Sequence, residues 1–370
     1  MSHMNAETCE IESQRLQVGH QQTVLHLSNV FDGGISRAVS KIVQLTPEVE
    51  HHLVASGGEV DHYSHLFSSV TRLPPGHVAS IRALRRHVDL LSPDIVHAHS
   101  SWAGMYSRIR PLPAAIAYQP HCFVTDDEGR HVLERLMYRT AENVLSLRRQ
   151  VLVTLSSHER ATTRKLVGHR LNRIRVVALP NAAAMRPLGN EEARYSSGEH
   201  ATVAMIGRIC KQKDPEYFVE LILRLRDMGY RGRAVWIGDG DAQTRASMEA
   251  SGVVVTGWLT GADLRSLLET VTVYVHTARY EGFPLSVLDA ASFGIPVLAR
   301  SIACFADTSI SAYDTVAGHA RGVHSALECQ DRWNQEQDKS KALTAVMSED
   351  AQRAALTTLY GFSEKTVRAQ

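Results

Sequence analysis

Two acids, Glu281 and Asp289, stand eight residues apart in a stretch that reads His-Thr-Ala-Arg-Tyr-Glu-Gly-Phe-Pro-Leu-Ser-Val-Leu-Asp from position 276. An apolar run over 271–275 predicts a strand ending just before Glu281. Pro284 suits the first turn of a helix, where its missing N–H has no partner to lose. That helix is expected to run to Phe293, with Gly294 as its stop and a second strand after Pro296. One acid then sits in the loop and the other about two turns along the helix. Free N–H groups at a helix start attract anions such as a diphosphate, and a nearby carboxylate accepts hydrogen bonds from hydroxyls. A sugar nucleotide carries both kinds of group.

Other chemistry-bearing residues stand at other predicted strand ends. Gly207-Arg208 and Lys213 precede Asp214-Pro215, which reads as an N-cap and first helical residue. Two fixed cations there would stabilise the charge that develops on a departing diphosphate, without a metal. Gly238 and Gly240 bracket Asp239 in a tight loop, with a role beside the nucleotide and a plain turn role equally open. Trp258 follows another strand; stacking on a base is conceivable there, and a half-buried structural Trp is the plainer reading. In the first half, Gly33-Gly34 precede Arg37 and allow a backbone to approach a ligand closely. His121 closes a strand over 114–119, and His97 and His99 share one face of the strand over 94–99. No carboxylate or Cys accompanies that pair, so a metal site gathers no support. Arg82, Arg85, Arg86, Arg108 and Arg110 read either as solvated helix faces or as a surface meeting an anionic membrane or lipid diphosphate.

These residues need a scaffold of strands and helices. Strand-like runs at 24–30, 53–56, 94–99, 114–119, 151–155 and 173–179 alternate with helical stretches at 78–91 and 128–147. A second series has strands at 201–206, 233–237, 253–256, 271–276 and 297–299, and past Ser301 the pattern weakens until helices at 349–360 and 362–367. Such alternation predicts parallel sheets covered by helices. The boundaries expected are a polar extension over 1–22 with a Ser-His-Met run like a tag remnant, a first domain over 23–182, a turn-rich linker over 183–199, a second domain over 200–348, and C-terminal helices over 349–370. A net charge of +1 favours neither nucleic acid nor a strongly acidic partner. Five scattered cysteines, odd in number and without a Cys-x-x-Cys pair, fit reduced thiols in a cytoplasm.

The stretch around Glu281 resembles the Glu-x7-Glu segment of the GT4 family of retaining glycosyltransferases, whose GT-B fold sets two Rossmann-like domains face to face. Gly207-Arg208 to Lys213 is similar to that family's Gly-Arg-x4-Lys element, Tyr118 to Phe123 to its Tyr-Thr-x-His-Gly-Phe segment, and Phe31 to Arg37 to its Gly-Gly loop. The resemblance spans about 24–300 and implies an α/β fold of two doubly wound domains with the active cleft between them. It implies transfer of a sugar from a nucleoside diphosphate to a glycan, lipid-linked or small-molecule acceptor, with no cofactor and no metal. Arg208, Lys213, Glu281 and His121 would be catalytic. Gly33, Gly34, Gly238, Gly240, Gly282, Phe283, Pro284, Leu285 and Asp289 would hold the donor, Asp289 at the ribose, and His99 and Arg37 would face the acceptor. Two departures stand out: Asp rather than Glu at 289, and Cys122 in place of Gly. The implied enzyme is cytoplasmic, with peripheral membrane contact as the sharper reading of its arginines. A GT-B sugar-nucleotide epimerase or an inactive nucleotide-sugar-binding homologue are the alternatives.

Overall fold

The computed structural model describes residues 21–167, 174–189 and 193–361. The helix expected over 362–367, Cys9, Arg173 and most of the polar extension lie outside these residues.

The alternating runs fold as two parallel sheets. The first contains β1 (Thr23–Ser28), α1 (Gly34–Leu45), β2 (Glu50–Ala55), β3 (Ser69–Arg72), α2 (His77–Leu91), β4 (Ile95–His99), α3 (Ser101–Arg108), β5 (Ala115–Gln119), α4 (Val132–Leu145), β6 (Gln150–Thr154), α5 (Ser157–Val167) and β7 (Ile174–Ala178). Its strand order is β3-β2-β1-β4-β5-β6-β7. The second contains β8 (Thr202–Ile206), α6 (Pro215–Asp227), β9 (Arg233–Ile237), α7 (Ala242–Ala250), β10 (Val254–Val255), α8 (Gly261–Leu268), β11 (Val273–His276), α9 (Leu285–Ser292), β12 (Val297–Arg300), β13 (Ser311–Tyr313), α10 (Val316–Glu328) and α11 (Gln330–Val346). Its order is β10-β9-β8-β11-β12-β13. Helices cover both faces, which is why central strands such as Val-Tyr-Val-His in β11 are buried at every position.

Each sheet grows in both directions from its first strand, reversing between β1 and β4 and between β8 and β11. In doubly wound sheets the crevice at the carboxyl ends of such a pair takes the ligand. The loops after β1, β4, β5, β8 and β11 are the ones that carry the sequence-predicted chemistry. The last helix, α12 (Glu349–Tyr360), belongs to neither series. It lays Leu356, Leu359 and Tyr360 against Val24 and Ile42 of the first domain, and Glu349 pairs with Lys41 at 2.9 Å.

Several local expectations change. Pro284 is the N-cap of α9, with φ −76° and ψ 125°, rather than its first helical residue. Helix α4 starts four residues later than the pattern from 128 suggested, after a short 3-10 turn at Val124–Asp126. Past Ser301 the chain forms β13 and two full helices. Helix α11 is polar along most of its length and anchors itself through Trp333, Gln337, Ser340 and Leu343 alone, so it carries little apolar periodicity to read. Strand β3 is an edge strand with no fully buried residue, and escaped notice for the same reason.

Candidate functional site

The β8 and β11 loops form one wall. Thr277 donates from its hydroxyl to the Lys213 carbonyl at 2.7 Å, Gln212 donates to the Tyr280 carbonyl at 3.0 Å, and the Arg279 amide donates to the Gln212 carbonyl at 2.8 Å. These bonds hold the Lys213 ammonium in an ion pair with the Glu281 carboxylate. Burial works to raise the Glu281 pKa, but Lys213 and His276 outweigh it and hold the carboxyl down at about 2. Glu281 is therefore an ionised acceptor at any working pH. Asp214 caps α6 by accepting from the Tyr217 amide, as its sequence position predicted, and its other oxygen binds Arg279 and Arg300 at 2.8 and 2.7 Å. Arg208 is exposed and makes no ion pair among the described residues.

The glycines set how closely the loops approach. A side chain at Gly238 would collide with the Gly207 carbonyl, and one at Gly240 with the Ile209 carbonyl. Both glycines let the β9 loop lie against the β8 loop, which favours the turn-and-packing role. Gly282 does the same across the two domains, where a side chain would strike the His121 carbonyl. Just beyond it Phe283 accepts a bond from Asn181 at 3.0 Å. The Leu285 and Ser286 amides at the start of α9 have no intrahelical acceptor, while the Val287 amide already donates to the Pro284 carbonyl at 3.2 Å. Trp258 is 62% exposed, so the structural-packing reading fails and its indole is left open to stack.

On the opposite wall His121 takes a left-handed backbone, with φ 60°. The positive φ falls at His121 itself and not at Cys122, which is why a residue with a side chain fits where the family has Gly. Burial pushes the Cys122 thiol well up, so it is no thiolate nucleophile. His121 is the last member of a row of imidazoles crossing four neighbouring strand positions. The His99 Nδ1 and His121 Nε2 atoms lie 3.0 Å apart, as do His26 Nδ1 and His99 Nε2, and His26 Nε2 and His51 Nδ1. At the far end His51 Nε2 meets the Thr46 carbonyl at 3.1 Å and the Thr46 hydroxyl at 2.9 Å. That hydroxyl donates to the Ile42 carbonyl at 2.8 Å, so both Thr46 oxygens act as acceptors and His51 Nε2 must carry the proton. The same direction then passes along the row, and each neutral ring donates from Nε2 and accepts at Nδ1. His121 is left with its Nδ1 lone pair as the free end. Burial lowers the pKa of His51 and of His121 to about 4 and holds those of His26 and His99 well below the ordinary value, so the row is neutral near pH 7.

His97, expected beside His99, is fully buried and bonds the Tyr360 hydroxyl of α12 at 3.0 Å, while its Nε2 has no partner. His26, His97 and His99 bring one nitrogen each within 4.8 Å of one another. Strand order supplies the third imidazole that sequence spacing lacked. His26 and His99 already satisfy one another there, and no carboxylate or thiolate joins the group among the described residues.

Four predicted site residues are placed differently from expectation. His99, expected to face the acceptor, is fully buried inside the sheet with both ring nitrogens engaged by His26 and His121. Asp289 was expected at the ribose, but it is fully buried, accepts from the Ala184 and Met185 amides at 2.9 Å each, and binds Arg37 at 2.5 Å. The shorter Asp turns inward to the interdomain segment, where its charge is satisfied. Arg37 accordingly faces Asp289, not an acceptor. Gly33, expected to bring backbone close to the donor, has its amide donating to the Glu59 carboxylate at 3.2 Å, and Ser36 binds the same oxygen. Glu59 thus occupies the start of α1. The basic surface also loses a member, because Arg108 is fully buried, paired with Glu142 at 2.9 Å and stacked 3.8 Å over the Tyr118 ring.

Glu159 was not singled out by sequence. It follows Ser156 by three residues, the capping-box spacing that would have flagged it. One oxygen accepts from the Leu155 amide at 2.7 Å. The other has no partner and lies against Gly282 at the domain junction. Burial, with Asp126 nearby, raises its pKa to about 8, so it stays a neutral acid at pH 7.

Comparison with known proteins fits this geometry. Residues 19–182 match the glycosyl transferase 4-like domain, and residues 200–318 match the glycosyl transferases group 1 domain. The chain is 20% identical over 339 residues to an uncharacterized 41.2 kDa protein in the cps region of Klebsiella pneumoniae, covering 85% of this chain and 92% of that protein. It is 24% identical over 230 residues to the Escherichia coli UDP-Gal:alpha-D-GlcNAc-diphosphoundecaprenol alpha-1,3-galactosyltransferase, covering 56% of this chain and 58% of that enzyme. Among solved structures, Anabaena HepE in complex with UDP and glucose superposes with a TM-score of 0.72 at 13% identity, over 92% of this chain and all of that one. At that identity the likeness speaks for the fold.

Proposed function

The chain belongs to the GT4-type group 1 glycosyltransferases of GT-B fold, a hexosyltransferase class, and on that premise we propose that it moves a hexosyl group from a nucleoside-diphosphate sugar with retention and without a metal. The observation that carries this reading is the Lys213–Glu281 ion pair, a cation beside a carboxylate held ionised at about 2, with the exposed Arg208 on the same loop after β8.

In the proposed reaction Arg208, Lys213 and the amides from Gly282 to Leu285 take the diphosphate. Glu281 accepts hydrogen bonds from donor-sugar hydroxyls, and Trp258 offers a face to the base. The bond from the anomeric carbon to the phosphate oxygen breaks while a bond from the acceptor oxygen forms on the same face. The acceptor proton passes to the departing phosphate oxygen, whose charge the two cations stabilise. His121, neutral and with Nδ1 unprotonated, accepts a hydrogen bond from a hydroxyl at the reacting centre, held in that tautomer by His99, His26 and His51. Asp289 acts as a clamp between domains. A glycan, lipid-linked or small-molecule acceptor enters from the first domain, near His121. No helix of the described residues is long and apolar enough to cross a membrane, and a cytoplasmic site of action suits a donor of this class.

A thermal-shift panel of UDP-, GDP- and ADP-sugars in EDTA tests the reading. A ligand at about a hundred times its Kd adds about 2.7 kcal/mol to apparent stability, which moves the midpoint by several degrees. One donor class should do so. No shift from any of them would remove the donor site. Donor converted to an epimeric nucleotide sugar, with no acceptor present, would favour the epimerase reading instead.

A further inference from the structure

Helix α4 buries none of its residues. Val132, Leu133, Leu136, Met137 and Val144, with Leu147 just past its end, are 57–68% exposed. At 100° per residue these six positions fall within an arc of about 140°, an apolar stripe interrupted by Thr140 and Asn143. Soluble proteins rarely leave six large apolar side chains uncovered on one helix face.

The borders of the stripe say what it meets. Arg135 and Arg139 flank one edge and Arg148 the other, and none of them makes an ion pair among the described residues. The two glutamates of the helix are committed elsewhere, Glu134 to Arg130 and Glu142 to the buried Arg108. The surface is therefore apolar in the middle and cationic at both sides. A helix of this kind lies in the plane of a bilayer, its apolar face among acyl chains and its guanidiniums at the level of anionic headgroups.

We propose that α4 docks this enzyme on an anionic bilayer. The chain reaches the helix directly from His121, through the turn at Val124–Asp126, so docking would bring the acceptor side of the cleft to the membrane surface. The proposal rests on the transferase reading and narrows its acceptor class to a lipid-linked one. It also moves the membrane surface away from Arg82, Arg85, Arg86 and Arg108, of which Arg108 is buried.

Flotation with vesicles tests it. The wild type should bind vesicles of phosphatidylglycerol with phosphatidylcholine, bind phosphatidylcholine alone at least about tenfold more weakly, and release at high salt. The double variant Leu133→Glu with Met137→Glu should lose at least about tenfold of that binding, with an unchanged unfolding midpoint because neither side chain is buried. Arg135→Glu with Arg139→Glu should lose the preference for anionic lipid. Equal vesicle binding by the Leu133/Met137 variant and wild type would overturn the proposal. So would a wild type that ignores vesicles, including one that self-associates through α4 and becomes monomeric in the variant. Nucleotide-sugar binding, measured on the same preparations without lipid, reports on the donor site separately.

Discussion

Arg37 and Asp289, 252 residues apart in the chain, meet at 2.5 Å across the boundary between the two domains. Asp289 also accepts from the Ala184 and Met185 amides, so one fully buried carboxylate fastens the first domain, the second domain and the segment between them. Removing one partner of a buried pair costs about 3–5 kcal/mol, because the other charge is left uncompensated. Asp289→Ala should therefore lower the unfolding midpoint of the ligand-free protein by several degrees. If Asp289 served only as a ribose ligand, the free protein would melt unchanged and donor affinity alone would fall.

Glu281 owes its ionisation to Lys213. Burial by itself would raise its pKa, and Lys213 is the largest force acting the other way. Lys213→Ala should release the carboxyl upward from about 2, so that an acidic limb enters the pH–rate profile where wild type has none. Transfer should also fall by about a hundredfold or more, the cost of one lost stabilising donor. A variant with wild-type rate and pH profile would contradict the assignment.

The imidazole row makes stability depend on pH in a definite direction. Folded His51 and His121 titrate near 4, against 6.5 for the free group, and burial is the first cause in each case. Between those values the unfolded chain binds more protons, so stability is complete above about pH 6.5 and is lost as pH falls toward 4. Midpoints measured across that range should drop with acid. Nitrogen-15 spectra at pH 7.5 should show His26, His51, His99 and His121 as Nε2–H tautomers. An Nδ1–H form at His121 would break the row as described.

Glu159 works the opposite way. Its folded pKa near 8 lies above the usual 4.5, so it disfavours folding increasingly as pH rises from 4.5 to 8. Glu159→Gln should raise the midpoint at pH 8.5 and leave it nearly unchanged at pH 4.5. Destabilisation at pH 8.5 would show that the carboxylate is ionised and paired.

The meeting of the Lys213 and Glu281 loops was legible because its parts are local. Each sits between the end of an apolar strand and the start of a helix, and strand ends of a parallel sheet converge. The imidazole row was not legible, because His26 reaches His99 only through β1 lying beside β4, and strand order is a property of the whole sheet. The burial of Asp289 was not legible for a related reason: its partners are Arg37 and the 184–185 amides, and only domain packing brings them to it. Periodicity marked a helix in the α4 region but could not say that its apolar face stays uncovered. Trp258 shows the same gap, since burial depends on what packs against a residue and not on its type.

The central claim is that the β8 and β11 loops hold a nucleoside diphosphate through fixed cations. Calorimetric titration of the wild type, Arg208→Ala and Lys213→Ala with the parent UDP, GDP and ADP in EDTA tests it most directly. The account predicts saturable binding of one nucleotide by the wild type and a loss of at least about tenfold, or about 1.4 kcal/mol, in each variant. Equal affinity in all three proteins, or no binding to the folded wild type, would contradict it.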